Sequence, residues 1–307
     1  LSFSSDVKLE LLRAAEEQPD CCAEAQLYGL LLFGREFHAR SIRFSTESRA
    51  LAEYFCASLH TIALAYAQTR SVGRKWEAEI VSPGDCLRVL ERFGHAPNDL
   101  TLRVIRENFI EDGCAAAFLR GAFLACAAVT TPQRQYHLEF TVGFRKLAGE
   151  LCALLKEAGH VPKLSQRKGV WVLYYKDSTQ IEELLTYLGA QRASLNIMGV
   201  KMEKDVRNHI NRQINFETAN MTRTAAASVA QCAAIRHIRA QKGLESLPDP
   251  LRQAALLREE NPEASLQELC ELAGGGVTRS GMNHRLRRLV ELAEQLTIDA
   301  CQRVVIR

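Results

Sequence analysis

Gln26-Leu-Tyr-Gly-Leu-Leu-Leu-Phe-Gly34 and Phe118-Leu-Arg-Gly-Ala-Phe-Leu-Ala-Cys126 are the stretches whose reading decides the fold. Both are apolar helical segments with one central glycine, and Gly29 and Gly121 stand 92 residues apart. Glycine inside an apolar helix costs roughly 1 kcal/mol against alanine, and is kept where another backbone must come close. The pattern predicts two helices packed on each other through Gly29 and Gly121.

The same offset recurs downstream. An alternating strand at Ser41-Ile-Arg-Phe-Ser-Thr46 is matched by His137-Leu-Glu-Phe-Thr-Val142, with Phe44 and Phe140 96 apart. Arg49, Leu51 and Ala52 on the next helix pair with Arg145, Leu147 and Ala148 at that spacing. Trp76-Glu-Ala-Glu-Ile-Val81 is echoed by Trp171-Val-Leu-Tyr-Tyr175, and a last helix ends at Gly94 in one copy and Gly189 in the other. The expected architecture is α+β, with two pseudo-symmetric αβαββα-type repeats at about 22–95 and 115–190 in a domain over 1–200. An all-α domain follows.

The Leu-x-Gly-apolar pattern on two such helices resembles the LAGLIDADG homing-endonuclease fold. That resemblance implies an acidic, metal-binding residue at each helix end. Here the aligned positions are Gly34 and Cys126, neither of which holds a hard divalent cation as a carboxylate does. Glu24 and Glu36 are nearby but displaced along the chain. The expectation is therefore no catalysis, no catalytic residue, no metal and no cofactor.

Net charge is +3 over 307 residues, and it is unevenly spread. Residues 1–200 carry 23 basic and 23 acidic groups, whereas 201–243 carry eight basic and three acidic. Arg279, Arg285, Arg287 and Arg288 lie within ten residues that contain no acid. Clustered positive charge of this kind marks nucleic-acid surfaces. No apolar run approaches the about 20 residues needed to cross a bilayer, and no signal peptide is visible. A cytoplasmic, nucleoid-associated protein without a membrane partner is expected. Ten cysteines show no C-x-x-C spacing, so a structural zinc site is not expected and the thiols read as small buried hydrophobes.

Residues 201–245 read as a helical connector, with long helix over 203–242. Val206, Ile210 and Ile214 form an apolar stripe. Lys204, Arg207, Asn208, Asn211, Arg212 and Asn215 fall on the other side within an arc of about 140°. This is a candidate surface for phosphate contact or domain docking. Pro248 and Pro250 separate the last segment, 246–307, from that helix. A helix from Leu251 to Glu260 is broken by Asn261-Pro262. Ser265-Leu-Gln-Glu268 is a capping box opening a helix with Leu266, Leu269 and Leu272 on one side. Gly274-Gly-Gly-Val-Thr278 is the turn, and a second helix runs from about Ser280 to Gln295 over Met282, Leu286, Leu289, Val290, Ala293 and Leu296.

Helix, glycine turn and a helix with a polar, basic N-terminal half read as a helix-turn-helix over about 265–297. Arginine grips guanine and asparagine grips adenine with paired hydrogen bonds. Arg279 and Ser280 are expected near phosphates. Asn283, His284, Arg287 and Arg288 are expected at bases or groove walls, with Arg285 on the flank. These cations sit in the helix half where the dipole disfavours them, so an anionic partner supplies the reason for their placement.

Nearly the whole chain resembles the bacterial WhiA family. The likeness rests on Ser2-Phe-Ser-Ser-Asp-Val-Lys8, on Leu119-Arg-Gly-Ala-Phe-Leu-Ala125 with Tyr136-His-Leu-Glu139, and on Val206-Arg-Asn with Asn211-Arg and Glu217-Thr-Ala-Asn220. It extends to Asn261-Pro-Glu-Ala-Ser265 and Ser280-Gly-Met-Asn-His-Arg-Leu-Arg-Arg-Leu289. The small Gly-Gly-Ser run of that family is replaced by Cys126-Ala-Ala128. The resemblance implies a degenerate LAGLIDADG domain joined to a DNA-binding helix-turn-helix, and a regulator linked to sporulation, cell division and chromosome segregation. The implied partner is double-stranded DNA at promoter sites. The N-terminal domain would add DNA contacts or bind another transcription factor or an RNA polymerase component. The alternatives are a metal-dependent homing-type endonuclease and a protein-interaction adaptor with incidental DNA affinity.

Overall fold

The computed structural model describes residues 2–16, 18–99 and 101–305, with side chains to residue 298. Leu1, the side chain of Cys301 and the end of the 246–307 segment, residues 306 and 307, lie outside the described residues. The chain divides into two units, Leu1–Asp205 and Val206–Arg307. It is a mixed α+β molecule with two antiparallel sheets in the first unit and helices in the second.

Helix α1 (Phe3–Ala14) is capped by Ser2, whose hydroxyl accepts from the Ser5 amide at 3.2 Å. The first repeat follows as α2 (Asp20–Leu32), β1 (Glu36–His38), β2 (Ser41–Thr46), α3 (Arg49–Ala63), β3 (Ala67–Val72), β4 (Lys75–Ile80) and α4 (Pro83–Arg92). After a connection with a short 3-10 turn at Arg106–Asn108, the second repeat runs α5 (Asp112–Cys126), β5 (Ala127–Val129), β6 (Leu138–Val142), α6 (Arg145–Glu157), β7 (Lys163–Arg167), β8 (Val170–Tyr175) and α7 (Ser178–Leu188). The sheets share one order, β1-β2-β4-β3 and β5-β6-β8-β7, with every neighbouring pair antiparallel. Each repeat therefore carries one strand more than the alternation shows. β1 and β5 have three residues each, too short to display a period of two.

Alternation does reveal the longer strands. Ile42, Phe44 and Thr46 are buried in one sheet, and Leu138, Phe140 and Val142 in the other. Between the sheets and outer helices lie α2 and α5, apolar around most of their circumference because they occupy the middle of the core. A β-carbon on Gly29 would stand 2.2 Å from the Phe118 carbonyl oxygen, and one on Gly121 2.1 Å from that of Gln26. Backbone touches backbone here, so only glycine fits. Gly189 closes α7 at φ +98°.

Helix α8 (Gln191–Lys242) starts twelve residues before the position read from sequence. Its first turns bury Ala193, Ile197 and Val200 in the N-terminal unit, and Glu10 accepts from the amides of Arg192 and Ala193 at 2.6 and 3.1 Å. A carboxylate at a helix start satisfies orphan amides and suits the dipole. Val206, Ile210 and Ile214 are exposed at 60%, 49% and 53%, so the predicted stripe is not buried within the chain. The last turns supply Ala234, Ile235 and Ile238 to a second core. That core also holds α9 (Asp249–Glu260), α10 (Leu266–Leu272) and α11 (Arg279–Val305). In α10 the buried pair is Leu269 and Cys270, while Leu272 is 55% exposed. The helix is rotated from the reading that grouped Leu266, Leu269 and Leu272.

Candidate nucleic-acid interface

The C-terminal unit holds a helical hairpin whose corner is built from caps and glycines. Ser265 Oγ accepts from the Glu268 amide at 3.3 Å, and the Glu268 carboxylate accepts from the Ser265 amide at 2.6 Å, completing the capping box. This bond holds the Glu268 carboxyl below the usual carboxylate range. Gly274 and Gly275 take φ +78° and +75°, and the Gly275 amide donates to the Cys270 carbonyl at 3.2 Å. These left-handed residues end α10 and reverse the chain without a β-carbon clash. Thr278 then caps α11, its hydroxyl accepting from the Gly281 amide at 3.2 Å.

Helix α11 buries Met282, Leu286 and Leu289 completely. Arg279, Ser280, Asn283, His284, Arg287 and Arg288 are exposed on the face turned away from that core, and Arg285 is half-buried on its edge. Arg288 pairs with Glu291 at 3.0 Å on the same helix. Among the described residues, no carboxylate pairs with Arg279, Arg285 or Arg287.

One residue that sequence reasoning missed organises this hairpin. Arg258 is 2% exposed, and its guanidinium donates to the carbonyls of Asn261, Pro262 and Ala264 at 3.3, 3.3 and 2.6 Å. Burial pulls its pKa down. The Asn261–Ala264 loop thus wraps a buried cation and delivers the chain to Ser265. The legible signal was spacing: Arg258 lies four residues after Ala254, on the same buried helix face.

The α8 residues divide. Arg207, Asn208, Asn211, Arg212 and Asn215 are exposed. Lys204 is engaged in the N-terminal unit, donating to the Pro132 carbonyl at 2.6 Å with its ammonium 4.4 Å from the centre of the Tyr136 ring.

The C-terminal ends of α2 and α5 carry Gly34 and Cys126. Burial pushes the Cys126 thiol up to about 12, with the Lys8 ammonium as its charged neighbour. The nearby acids are held elsewhere. Glu36 accepts from Ser41 Oγ at 2.6 Å and lies 3.4 Å from Arg43, which keeps its carboxyl low, and Glu24 pairs with Arg92.

A family model described as the WhiA LAGLIDADG-like domain matches residues 115–207, and one described as the WhiA C-terminal HTH domain matches residues 210–293. The chain belongs to the WhiA family. A protein of Desulforudis audaxviator named "Probable cell division protein WhiA" is 37% identical, covering 96% of this chain and 98% of its own length. Its namesake in Alkaliphilus metalliredigens is 32% identical over the same shares. The crystal structure of full-length DUF199/WhiA from Thermatoga maritima matches with a TM-score of 0.58 and 26% identity, covering 96% of this chain and 99% of that one. The first LAGLIDADG-like repeat lies outside both matched segments, yet it reproduces the sheet order of the second. Among the described residues, no helix is long and apolar enough to cross a membrane.

Proposed function

We propose that this chain is a sequence-specific, non-enzymatic DNA-binding transcription regulator that reads promoter DNA through residues 246–307. The observation that carries the reading is the exposed row Arg279, Ser280, Asn283, His284, Arg287 on the opening turns of α11, backed by a rigidly capped turn. Recognition helices enter the major groove by their N-terminal turns. Arg279 and Arg287, which pair with no carboxylate among the described residues, offer their guanidiniums to phosphate or guanine at that end. Residues 201–245 act as the connector. Arg207 and Arg212 add phosphate contacts, flanked by Asn208, Asn211 and Asn215.

The N-terminal unit serves as a scaffold that binds a protein partner, another transcription factor or an RNA polymerase component. Its first sheet supports this role, because the arginines there are already committed to acids. Arg43 lies 3.0 Å from Glu79, and Arg35 and Arg70 lie 2.7 and 3.1 Å from Glu77. Phosphate binding with counterion release needs free clustered cations. Nuclease chemistry is disfavoured by the residues at the helix ends, since Gly34 offers no carboxylate and Cys126 is a neutral thiol beside Lys8. The relatives' name and the family resemblance point the regulated process toward cell division and, in spore formers, sporulation.

Chromatin pull-down with sequencing, run on the chain and on an Arg279→Ala, Asn283→Ala, Arg287→Ala variant, tests the reading. Discrete peaks that collapse in the folded variant support it. Peaks that persist unchanged remove α11 as the reader and favour the adaptor. Magnesium-dependent cleavage of duplex DNA, lost in Glu36→Gln, would establish the endonuclease instead.

A further inference from the structure

Cys21, Cys22 and Cys114 bring three sulfur atoms within 4.8 Å of one another. Cys22 and Cys114 are buried and Cys21 is half-buried. Cys22 and Cys114 stand 92 residues apart, the offset of Gly29 and Gly121. They are symmetry equivalents that meet at the N-terminal ends of the central helices, opposite the ends that carry Gly34 and Cys126. Cys21 and Cys22 come from the first repeat and Cys114 from the second, which is why no C-x-x-C spacing betrays the cluster.

We propose that Cys21, Cys22 and Cys114 bind a thiophilic metal ion, Zn²⁺, on the pseudo-two-fold axis of the N-terminal unit, with the Glu111 carboxylate as fourth ligand.

Three independent features support the assignment. The first is ligand type. Thiolate sulfur selects Zn²⁺ and other soft cations over Mg²⁺ or Ca²⁺, and three sulfurs with one oxygen complete a tetrahedral set. Zinc–sulfur bonds of about 2.3 Å place tetrahedral sulfurs about 3.8 Å apart, so the cluster needs to contract by about 1 Å. Side-chain rotation supplies that.

The second is the electrostatic frame. Among the described residues, no side chain caps the start of α2 or α5: the N-cap residues Pro19 and Glu111 make no such bond. The open amides and dipoles of both helices place partial positive charge where thiolates form. Glu111 lies beside Cys21. Metal binding sends three thiol protons to solvent and leaves three thiolates on the ion.

The third is space. A β-carbon on Gly113 would stand 3.1 Å from Cys22 Sγ, so the glycine between Glu111 and Cys114 leaves room for the Cys22 sulfur to lie against α5. The half-buried Cys21 is the side from which an ion enters.

The test uses the full, thiol-reduced chain, free of a polyhistidine tag. Cobalt(II) titration should give a sulfur-to-cobalt charge-transfer band that saturates at one equivalent. X-ray absorption of the zinc-loaded chain should fit three sulfurs and one oxygen, which needs no variant. Cys22→Ser with Cys114→Ser should lose the band, Cys56→Ser and Cys232→Ser should keep it, and Glu111→Gln should change its ligand-field pattern. A reduced chain that shows no band overturns the proposal. So does a chain isolated two hydrogens lighter, with Cys22 and Cys114 joined as a disulfide. An unchanged Glu111→Gln spectrum overturns the fourth ligand.

Discussion

Gly29 and Gly121 face each other so closely that a β-carbon on Gly29 would stand 3.1 Å from the Gly121 α-carbon. The same methyl would meet the Phe118 carbonyl oxygen at 2.2 Å. A methyl that meets backbone has no side chain to push aside. Gly29→Ala or Gly121→Ala should destabilise the N-terminal unit by about 3 kcal/mol or more, at the upper end of overpacking costs. Urea unfolding followed by near-UV circular dichroism measures it. A change under about 1 kcal/mol would mean that α2 and α5 can separate without loss.

The Arg258 guanidinium holds three carbonyls of the Asn261–Ala264 loop. Arg258→Ala removes those bonds and takes the Ala264 carbonyl's side-chain donor, while the Pro262 carbonyl keeps Ser228 and the Asn261 carbonyl keeps the Ala264 amide. The expected cost is about 2–4 kcal/mol, with loss of DNA binding as the loop leading into Ser265 loosens. Arg258→Lys should recover part of it. Calorimetry with a binding isotherm checks both. Full stability in Arg258→Ala would remove the residue from this role.

His95 is buried, with Nε2 3.0 Å from the Tyr28 hydroxyl, and burial lowers its pKa from the ordinary 6.5. Below 6.5 the unfolded chain takes up a proton that the folded chain refuses, so unfolding gains. Stability from this group is therefore full above 6.5 and declines as pH falls toward the lowered folded value. His95→Gln should flatten that slope. Denaturation midpoints measured from above to below pH 6.5 decide it, and an identical slope in the variant would assign the effect elsewhere.

Arg287 and Arg288 are neighbours with different partners. Arg288 is tied to Glu291 at 3.0 Å, and Arg287 is unpaired among the described residues. Arg287→Ala should cost about 1–3 kcal/mol on the best site and relax preference at one base pair. Arg288→Ala should cost less, because its charge is already shared. Selection from random duplexes followed by isotherms on single-base variants measures both. The reverse ranking would show that Glu291 releases Arg288 in the complex.

Arg207 and Arg212 are exposed on α8. If each touches one phosphate, removing it should weaken binding to all sequences alike and lower the slope of log affinity against log salt by about 0.9. A salt titration on random-sequence DNA reads this directly. An unchanged slope in both variants would assign the face to protein docking.

Local rules make much of this legible in the sequence. The alternation of Ile42, Phe44 and Thr46, the capping box at Ser265 and the stripe of Met282, Leu286 and Leu289 all depend on neighbours within a turn or a strand, and the repeat shows because such local patterns occur twice. So does the charge row on α11. Where the sequence hid something, the partner was distant or the element too short. Strands β1 and β5 are held by pairing with β2 and β6 rather than by a pattern of their own.

What the sequence by itself determined is the doubled α+β framework and the identity of the exposed residues on α11, because periodicity and charge are properties of the chain. Tertiary structure alone decided which carbonyls Arg258 holds, that Lys204 is engaged in the N-terminal unit, and that Cys21 and Cys22 meet Cys114. Those relations depend on packing between segments that the linear order keeps apart, where desolvation and a few ångströms of approach set the chemistry.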